Sequence, residues 1–280
     1  MGTDMLADVL AADKLVGAVL WGASFHFWDA STWLAWQYVA WAAVILAGLE
    51  LMAWLVDHVP PLFLSAARIP RRGKHLDALS TLDWVFICWN KFTTSVFTYH
   101  ALRYCWTSAE IKWSLSEATA LNTVVAFPVL FLVYDFFYAL WHRFLHLRQF
   151  YALIHKHHHH QAAPTRGNVD AVNVHPVEFI VGEYLHLAAI VIVGNLAFVR
   201  CHVIAAALFV VIGGVLASLN HTRFNVTAGV AFDVKAHDQH HVIPTVNYGQ
   251  YVMVWDRLMG TYKAHPGING ADSVSPGKTK

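Results

Sequence analysis

Five apolar runs divide the chain, and charge and histidine collect between them. Residues 33–56 form an apolar run whose only charge is Glu50, and about 20 such residues suffice to cross a bilayer as a helix. A weaker run, 82–105, is interrupted by Asn90 and Lys91, and a third, 119–141, carries Pro128 and Asp135. Residues 179–199 and 202–219 form two more, joined so tightly that they predict a helical hairpin. Between the first two runs lies a polar loop with Pro60, Pro61 and Pro70 and the basic residues Arg68, Arg71, Arg72 and Lys74. From Asn220 onward the pattern is polar and not membranous. Residues 15–27 suit an amphipathic helix lying in the membrane interface, and Asp4, Asp8 and Asp13 stand where a cleaved signal would be basic.

Composition strengthens the membrane reading. Of 280 residues 57% are hydrophobic and only 13% charged, against about 25% charged in soluble domains; the mean hydropathy is +0.43. The 12 Trp, 10 Tyr and 17 Phe suit aromatic belts at the bilayer surface. The expectation is an all-α integral membrane helical bundle with a cytosolic helical cap that carries a histidine-rich dimetal site. Its parts are an N-terminal interfacial segment (1–32), two membrane helices with a basic loop (33–118), a catalytic domain (119–263) and a C-terminal tail (264–280). A net charge of +1 gives no basis for binding nucleic acid, and Cys88, Cys105 and Cys201 form no CxxC pair or disulfide framework.

Histidine changes the picture most. Of 19 histidines, 14 lie between His142 and His241. Imidazole is the commonest protein metal ligand and suits iron, zinc and copper. His142 and His146 are four residues apart, and His155, His158 and His159 stand at i, i+3 and i+4. His237, His240 and His241 repeat that triad. Such spacings place side chains on one face of a helix. One unbroken helix cannot bring the first two groups to one site, because thirteen residues from His142 to His155 turn the face by roughly 220°. A break is therefore expected around Arg148–Tyr151. With His221, just past the hairpin, the candidates number nine, too many for one ion and enough for two. The absence of thiolates argues against a closed structural zinc site. Asp135 lies seven and eleven residues before His142 and His146 on the same helical face. As a charge within an apolar run it needs a partner, expected to be a ring N–H of His142, a histidine such as His237 or His240, or a polar group of a neighbouring helix. Glu178, Glu183, Asp170 and Asp238 are further supports for ligand rings. His157 and His160 read as solvated bystanders. His26, His58, His75, His100 and His265 read as surface or interface residues, and His186 and His202 as packing groups. His175 is either a ligand support or a helix start, and Asp256 bonds nearby backbone.

Several stretches together resemble the fatty acid hydroxylase/sterol desaturase superfamily of membrane oxygenases. They are Asp135, His142-Arg143-Phe144-Leu145-His146, His155-Lys156-His157-His158-His159, His175-Pro176-Val177-Glu178, Asn220-His221, His237-Asp238-Gln239-His240-His241, Asn247-Tyr248-Gly249 and Trp255-Asp256-Arg257-Leu258-Met259-Gly260-Thr261, spread over about half the chain. The resemblance implies that His142, His146, His155, His158, His159, His221, His237, His240 and His241 hold two iron ions, with zinc possible in purified protein. It implies O₂ as co-substrate and hydroxylation or desaturation of a sterol, fatty acyl or sphingoid lipid. It also implies electrons from a separate haem carrier and its NAD(P)H reductase. Some members carry another histidine four residues before the one matching His221; here that residue is Ala217. Either Asn220 or Asn225 contributes through water, or the site has nine histidines. Asp135, Asn220 and Asn225 are the expected catalytic side chains.

With the histidine clusters on the cytosolic face, fourteen Lys/Arg lie on that side and four on the other, the bias that orients membrane proteins. In a eukaryote the expected membrane is the endoplasmic reticulum. The competing readings are a catalytically inactive relative, a membrane zinc-binding protein, a zinc hydrolase (for which HExxH is absent) and a metal transporter, whose ligands would sit within the spans.

Overall fold

The structure is a computed structural model that describes residues 26–63 and 68–267. The interfacial helix expected at 15–27 lies outside the described residues except for His26 and Phe27, as does most of the 264–280 tail.

Helix α1 (Ala35–His58) arises from the first apolar run and buries little of its surface; Leu34, Val39, Val44, Leu51 and Trp54 are exposed, as suits a lipid-facing helix. Helix α2 (Thr81–Thr107) starts at a capping box, in which Ser80 Oγ accepts from Asp83 N and Asp83 Oδ2 accepts from Ser80 N. Asn90 and Lys91, which weaken its apolar run, are both partnered. Asn90 Nδ2 donates to Val172 O and Val174 O, each at 2.9 Å, and Lys91 pairs with Glu50 of α1. Buried polar groups need such partners in a low-dielectric interior.

A π-helical turn, Leu121–Val125, leads into α3 (Ala126–Leu145). The chain then breaks as the histidine spacing requires. Leu147 is extended, α4 (Arg148–Leu153) forms a short helix, and a 3₁₀ turn spans His155–His160. The expected break thus falls on either side of Arg148–Tyr151, which is itself helical. Helix α5 (Pro176–Gly194) begins with His175 as N-cap, its Nδ1 accepting from Val177 N at 3.2 Å, and with Pro at the first turn. His175 is therefore a helix-start residue. Helix α6 (Val203–Leu219) is likewise capped by His202, and completes the hairpin. Two short helices follow, α7 (Val234–Val242) and α8 (Val254–Met259). A two-residue parallel ladder joins β1 (Ile111–Lys112) to β2 (Cys201–His202).

Helix α3 is central and packs on α5 and α6, with α8 against its side; α2 lies between α1 and α5. The main core joins Leu130, Phe131 and Tyr134 to Ile190, Val193, Phe209 and Tyr251. A second cluster of Val56, Ile69, Leu219, Phe224 and Val234 seats α7 against the ends of α1 and α6. Ala35–Leu62, Leu121–Leu145 and Pro176–Gly194 are long and apolar enough to cross a membrane; Val203–Leu219 is a shorter apolar helix. The fold is a helical membrane bundle. Phe27, Trp28, Trp33, Trp41, Tyr99 and Trp106 form an aromatic cluster at the start of α1 and the end of α2, far along those helices from the histidine-bearing turn.

Candidate metal centre

All nine histidines singled out by spacing converge at one end of the bundle, in two groups whose ligand atoms lie within 4.8 Å of one another. The first group is His142, His146, His155, His159 and His240; the second is His158, His221, His237 and His241. The elements serve both groups at once, which corrects the expectation that each triad shares one face. In α7, His237 and His241 lie a full turn apart and serve the second group. One residue earlier the helix has rotated by about 100°, so His240 serves the first. The turn His155–His160 is 3₁₀ rather than α; there i and i+3 align but stand about 6 Å apart along the axis. His155 and His158 accordingly reach different groups.

The hydrogen bonds set where the lone pairs point. His142 Nδ1 donates to Tyr248 O at 2.8 Å, His240 Nδ1 to Val246 O at 2.7 Å and His221 Nδ1 to Ala217 O at 2.9 Å. A carbonyl only accepts, so in each neutral ring Nε2 carries the lone pair. His155 Nδ1 lies 2.8 Å from Glu178 Oε1, within ion-pair range but off hydrogen-bond geometry. Yet His142 Nε2 is 3.1 Å from His155 Nε2, and His237 Nε2 is 3.3 Å from His221 Nε2 and 3.1 Å from His241 Nε2. Two ring nitrogens at such distances need a proton or a metal cation between them. Ligands about 2.0–2.1 Å from a tetrahedral ion stand about 3.3 Å apart, so the spacing fits metal ligation. His146 Nε2 is also buried without a partner.

Burial, reinforced by neighbouring histidines, pushes His146 down to about 3 and holds His158, His237, His240 and His241 well below the usual imidazole range. His159 is lowered for the same reasons. These rings are neutral at physiological pH, the form that binds metal. Ala217, which replaces a possible histidine, contributes its carbonyl to His221 instead of a ring.

Asp135 departs from expectation. It contacts no histidine; its carboxylate accepts the backbone N–H groups of Gln250 at 3.0 Å, Tyr251 at 2.9 Å and Val252. Two helical turns of about 10 Å separate it from His142, and the loop after α7 fills that gap. Asp256 completes the grip, accepting from Tyr248 N at 2.7 Å and Gly249 N at 2.8 Å. Two carboxylates thus fix the loop whose carbonyls orient His142 and His240. Asn247 sits at φ +54° and bonds Ala236 O, Lys263 O and Lys263 N. Nothing in the sequence of Asn247-Tyr248-Gly249 marks that the Tyr248 carbonyl orients the His142 ring.

Of the other carboxylates expected beside ligand rings, Glu178 meets His155, whereas Glu183 bonds Thr94 Oγ1 and Asp170 bonds Thr165 N and Arg166. Asp238 is buried against Arg72, Arg223 and His265, which pins α7 to the basic loop and makes His265 a buried partner rather than a surface residue. Asn220 Nδ2 donates to Gln250 O at 2.8 Å, and the Oδ1 atoms of Asn220 and Asn225 are buried without hydrogen-bond partners. His157 and His160 are not solvated bystanders: they lie against Asp83.

Residues 127–261 match the family described as Fatty acid hydroxylase. That segment is a fatty acid hydroxylase domain of the fatty acid hydroxylase/sterol desaturase superfamily. The chain is similar to lathosterol oxidase of Mus musculus, 33% identical over 129 residues, 45% of this chain and 40% of that protein. It is also similar to human lathosterol oxidase, 27% identical over 160 residues, 55% of this chain and 51% of that protein. The matched stretch therefore spans about half the length of these relatives or less. No solved structure matches the chain.

Proposed function

We propose that the protein is a membrane-bound, O₂-dependent di-iron hydroxylase or desaturase of a lipid. The observation that supports this reading best is the pairing of nine imidazoles into two facing groups at the end of an apolar bundle. A lipid C–H bond offers no acidic proton, so acid–base side chains alone do not attack it. When bound, the iron pair supplies the reduction of O₂ and the oxidising power that such a bond demands.

The chain's own part is positioning. The Tyr248, Val246 and Ala217 carbonyls fix the ring orientations of His142, His240 and His221, and Glu178 lies beside His155. His142, His155 and His240 are at most 2% exposed, which keeps bulk water from the centre. The apolar helices admit a substrate already dissolved in the bilayer. The relatives' name favours a sterol over fatty acyl and sphingoid chains as the first substrate to test. A separate haem carrier with its NAD(P)H reductase would supply electrons, and the Lys/Arg bias supports a cytosolic site, at the endoplasmic reticulum in a eukaryote.

The test is anaerobic loading of the detergent-solubilised chain with Fe²⁺, followed by reduction, O₂ and a panel of sterol, acyl and sphingoid lipids. Two irons per chain with O₂ uptake coupled to one oxidised lipid is the expected result. Tight zinc binding with no O₂ uptake under any electron supply would leave a zinc-binding or inactive relative in its place.

A further inference from the structure

The turn that feeds both histidine groups carries a third cluster on its opposite side. His157 Nε2 and His160 Nε2 lie 3.1 and 3.3 Å from Asp83 Oδ1, and the three ligand atoms all fall within 4.8 Å of one another. These separations equal those between ring nitrogens in the nine-histidine groups. Asp83 Oδ2 is occupied by Ser80 N and Oγ at the start of α2, which leaves Oδ1 to face the two rings and Asn173 Nδ2 at 2.9 Å.

The hydrogen bonding of His160 is decisive. Its Nδ1 contacts the backbone carbonyl of His157, so Nδ1 is a donor and Nε2 is the nitrogen that faces the Asp83 carboxylate. That Nε2 is buried and has no hydrogen-bond partner. A ring nitrogen set against a carboxylate oxygen calls for a cation between them, a proton or a metal ion. His157 Nε2 also donates to Asn173 Oδ1 at 2.9 Å, a proton it gives up on binding an ion, which leaves that amide oxygen beside a fourth coordination position. The His157 and His160 side chains remain 17% and 25% exposed, which gives an ion an entry path and leaves room for water.

We propose that Asp83, His157 and His160 form a third metal site that takes a zinc ion. Two imidazoles, one carboxylate and an open position make a donor set suited to four-coordinate zinc at about 2.0–2.2 Å. The site lies apart from the nine histidines and supplies no redox step. Its role is that of a clasp: it ties the first turn of α2 to the 3₁₀ turn that presents His155, His158 and His159. Zinc there steadies ligands of both groups without touching either.

The test is equilibrium dialysis of the full chain in detergent against buffered Zn²⁺, with bound metal counted by mass spectrometry. His160→Gln and His157→Gln are each expected to bind about one zinc fewer than wild type. His58→Gln, at an exposed histidine, is expected to match wild type. Pairing His160→Gln with His240→Ala is expected to lower the count further than either alone, since the two act on different sites. Equal zinc in wild type and both glutamine variants would overturn the proposal and leave the trio as a hydrogen-bonded helix cap. Because the readout is metal bound and not turnover, it stands whether or not the nine-histidine groups carry out lipid oxidation.

Discussion

His240 sends its Nε2 toward the first histidine group and donates Nδ1 to Val246 O, so its removal takes a ring from that group and frees a buried carbonyl. His240→Ala is expected to abolish O₂ uptake and lower bound metal, with metal content and oxygen consumption measured on one preparation; wild-type values of both would remove His240 from the centre. Asp135→Asn acts at a distance. The carboxylate accepts three backbone N–H groups, and an amide turns one acceptor into a donor facing them. A buried unsatisfied group costs about 1–3 kcal/mol, and loss of a group that supports ligand rings typically costs about 10–100-fold in metal affinity or activity. The Asn variant is expected to express, to hold metal more weakly and to turn over at least tenfold more slowly; unchanged metal affinity would make Asp135 an anchor of the fold alone. The need of Asp135 for a partner was legible in the sequence because a charge in an apolar run is costly. Its partner was not, because the acceptor binds backbone N–H groups more than a hundred residues away, and backbone leaves no mark in side-chain spacing.

At the level of elements, hydrophobic runs located α1, α2, α3, α5 and α6, since span length and apolar character are local properties. The conformation of His155–His160 was not legible: residues at i, i+3 and i+4 suit an α-helix and a 3₁₀ turn alike, and only the fold selects the tighter winding. The Tyr248–Val252 loop illustrates the same limit from the side of backbone sterics. A Cβ at Gly249 would meet Val252 O at 2.9 Å and Asp256 Oδ2 at 3.0 Å, whereas one at Gly48 in α1 would meet nothing within 4 Å. Gly249→Ala must displace backbone, with a cost of about 1–3 kcal/mol typical of overpacking, and it disturbs the carbonyls that hold His142 and His240. Thermal unfolding of the two variants is expected to show a lowered Tm for Gly249→Ala and none for Gly48→Ala, where Ala favours the helix by about 0.5–1 kcal/mol. An unchanged Tm and metal content in Gly249→Ala would mean that the loop tolerates a shift the packing forbids.

The whole molecule concentrates its buried imidazoles at one end, and this ties its stability to pH and to metal. His146, His158, His237, His240 and His241 all sit below the 6.5 of a free imidazole, chiefly because burial disfavours their charged form. For a base whose folded value is depressed, the unfolded chain binds more protons between the two values, so stability rises with pH across that window. Above about 6.5 these rings are neutral in both states and cost nothing. As pH falls below that point each ring pulls toward the unfolded, protonated chain, and for His146 the pull grows until about 3. Metal binding deepens the effect, because an ion held by the ring nitrogens excludes protons and is itself displaced by them. Chelated protein in detergent is therefore expected to keep a constant Tm from pH 8 to about 7 and to lose it steeply toward pH 5. Metal-loaded protein is expected to hold its Tm to a lower pH and then to release metal and unfold together. Parallel melting curves with and without chelator, with metal release followed in the same samples, read both limbs. A Tm for the chelated protein that stays flat between pH 7 and 5 would show that the rings already share protons or solvent in the folded state.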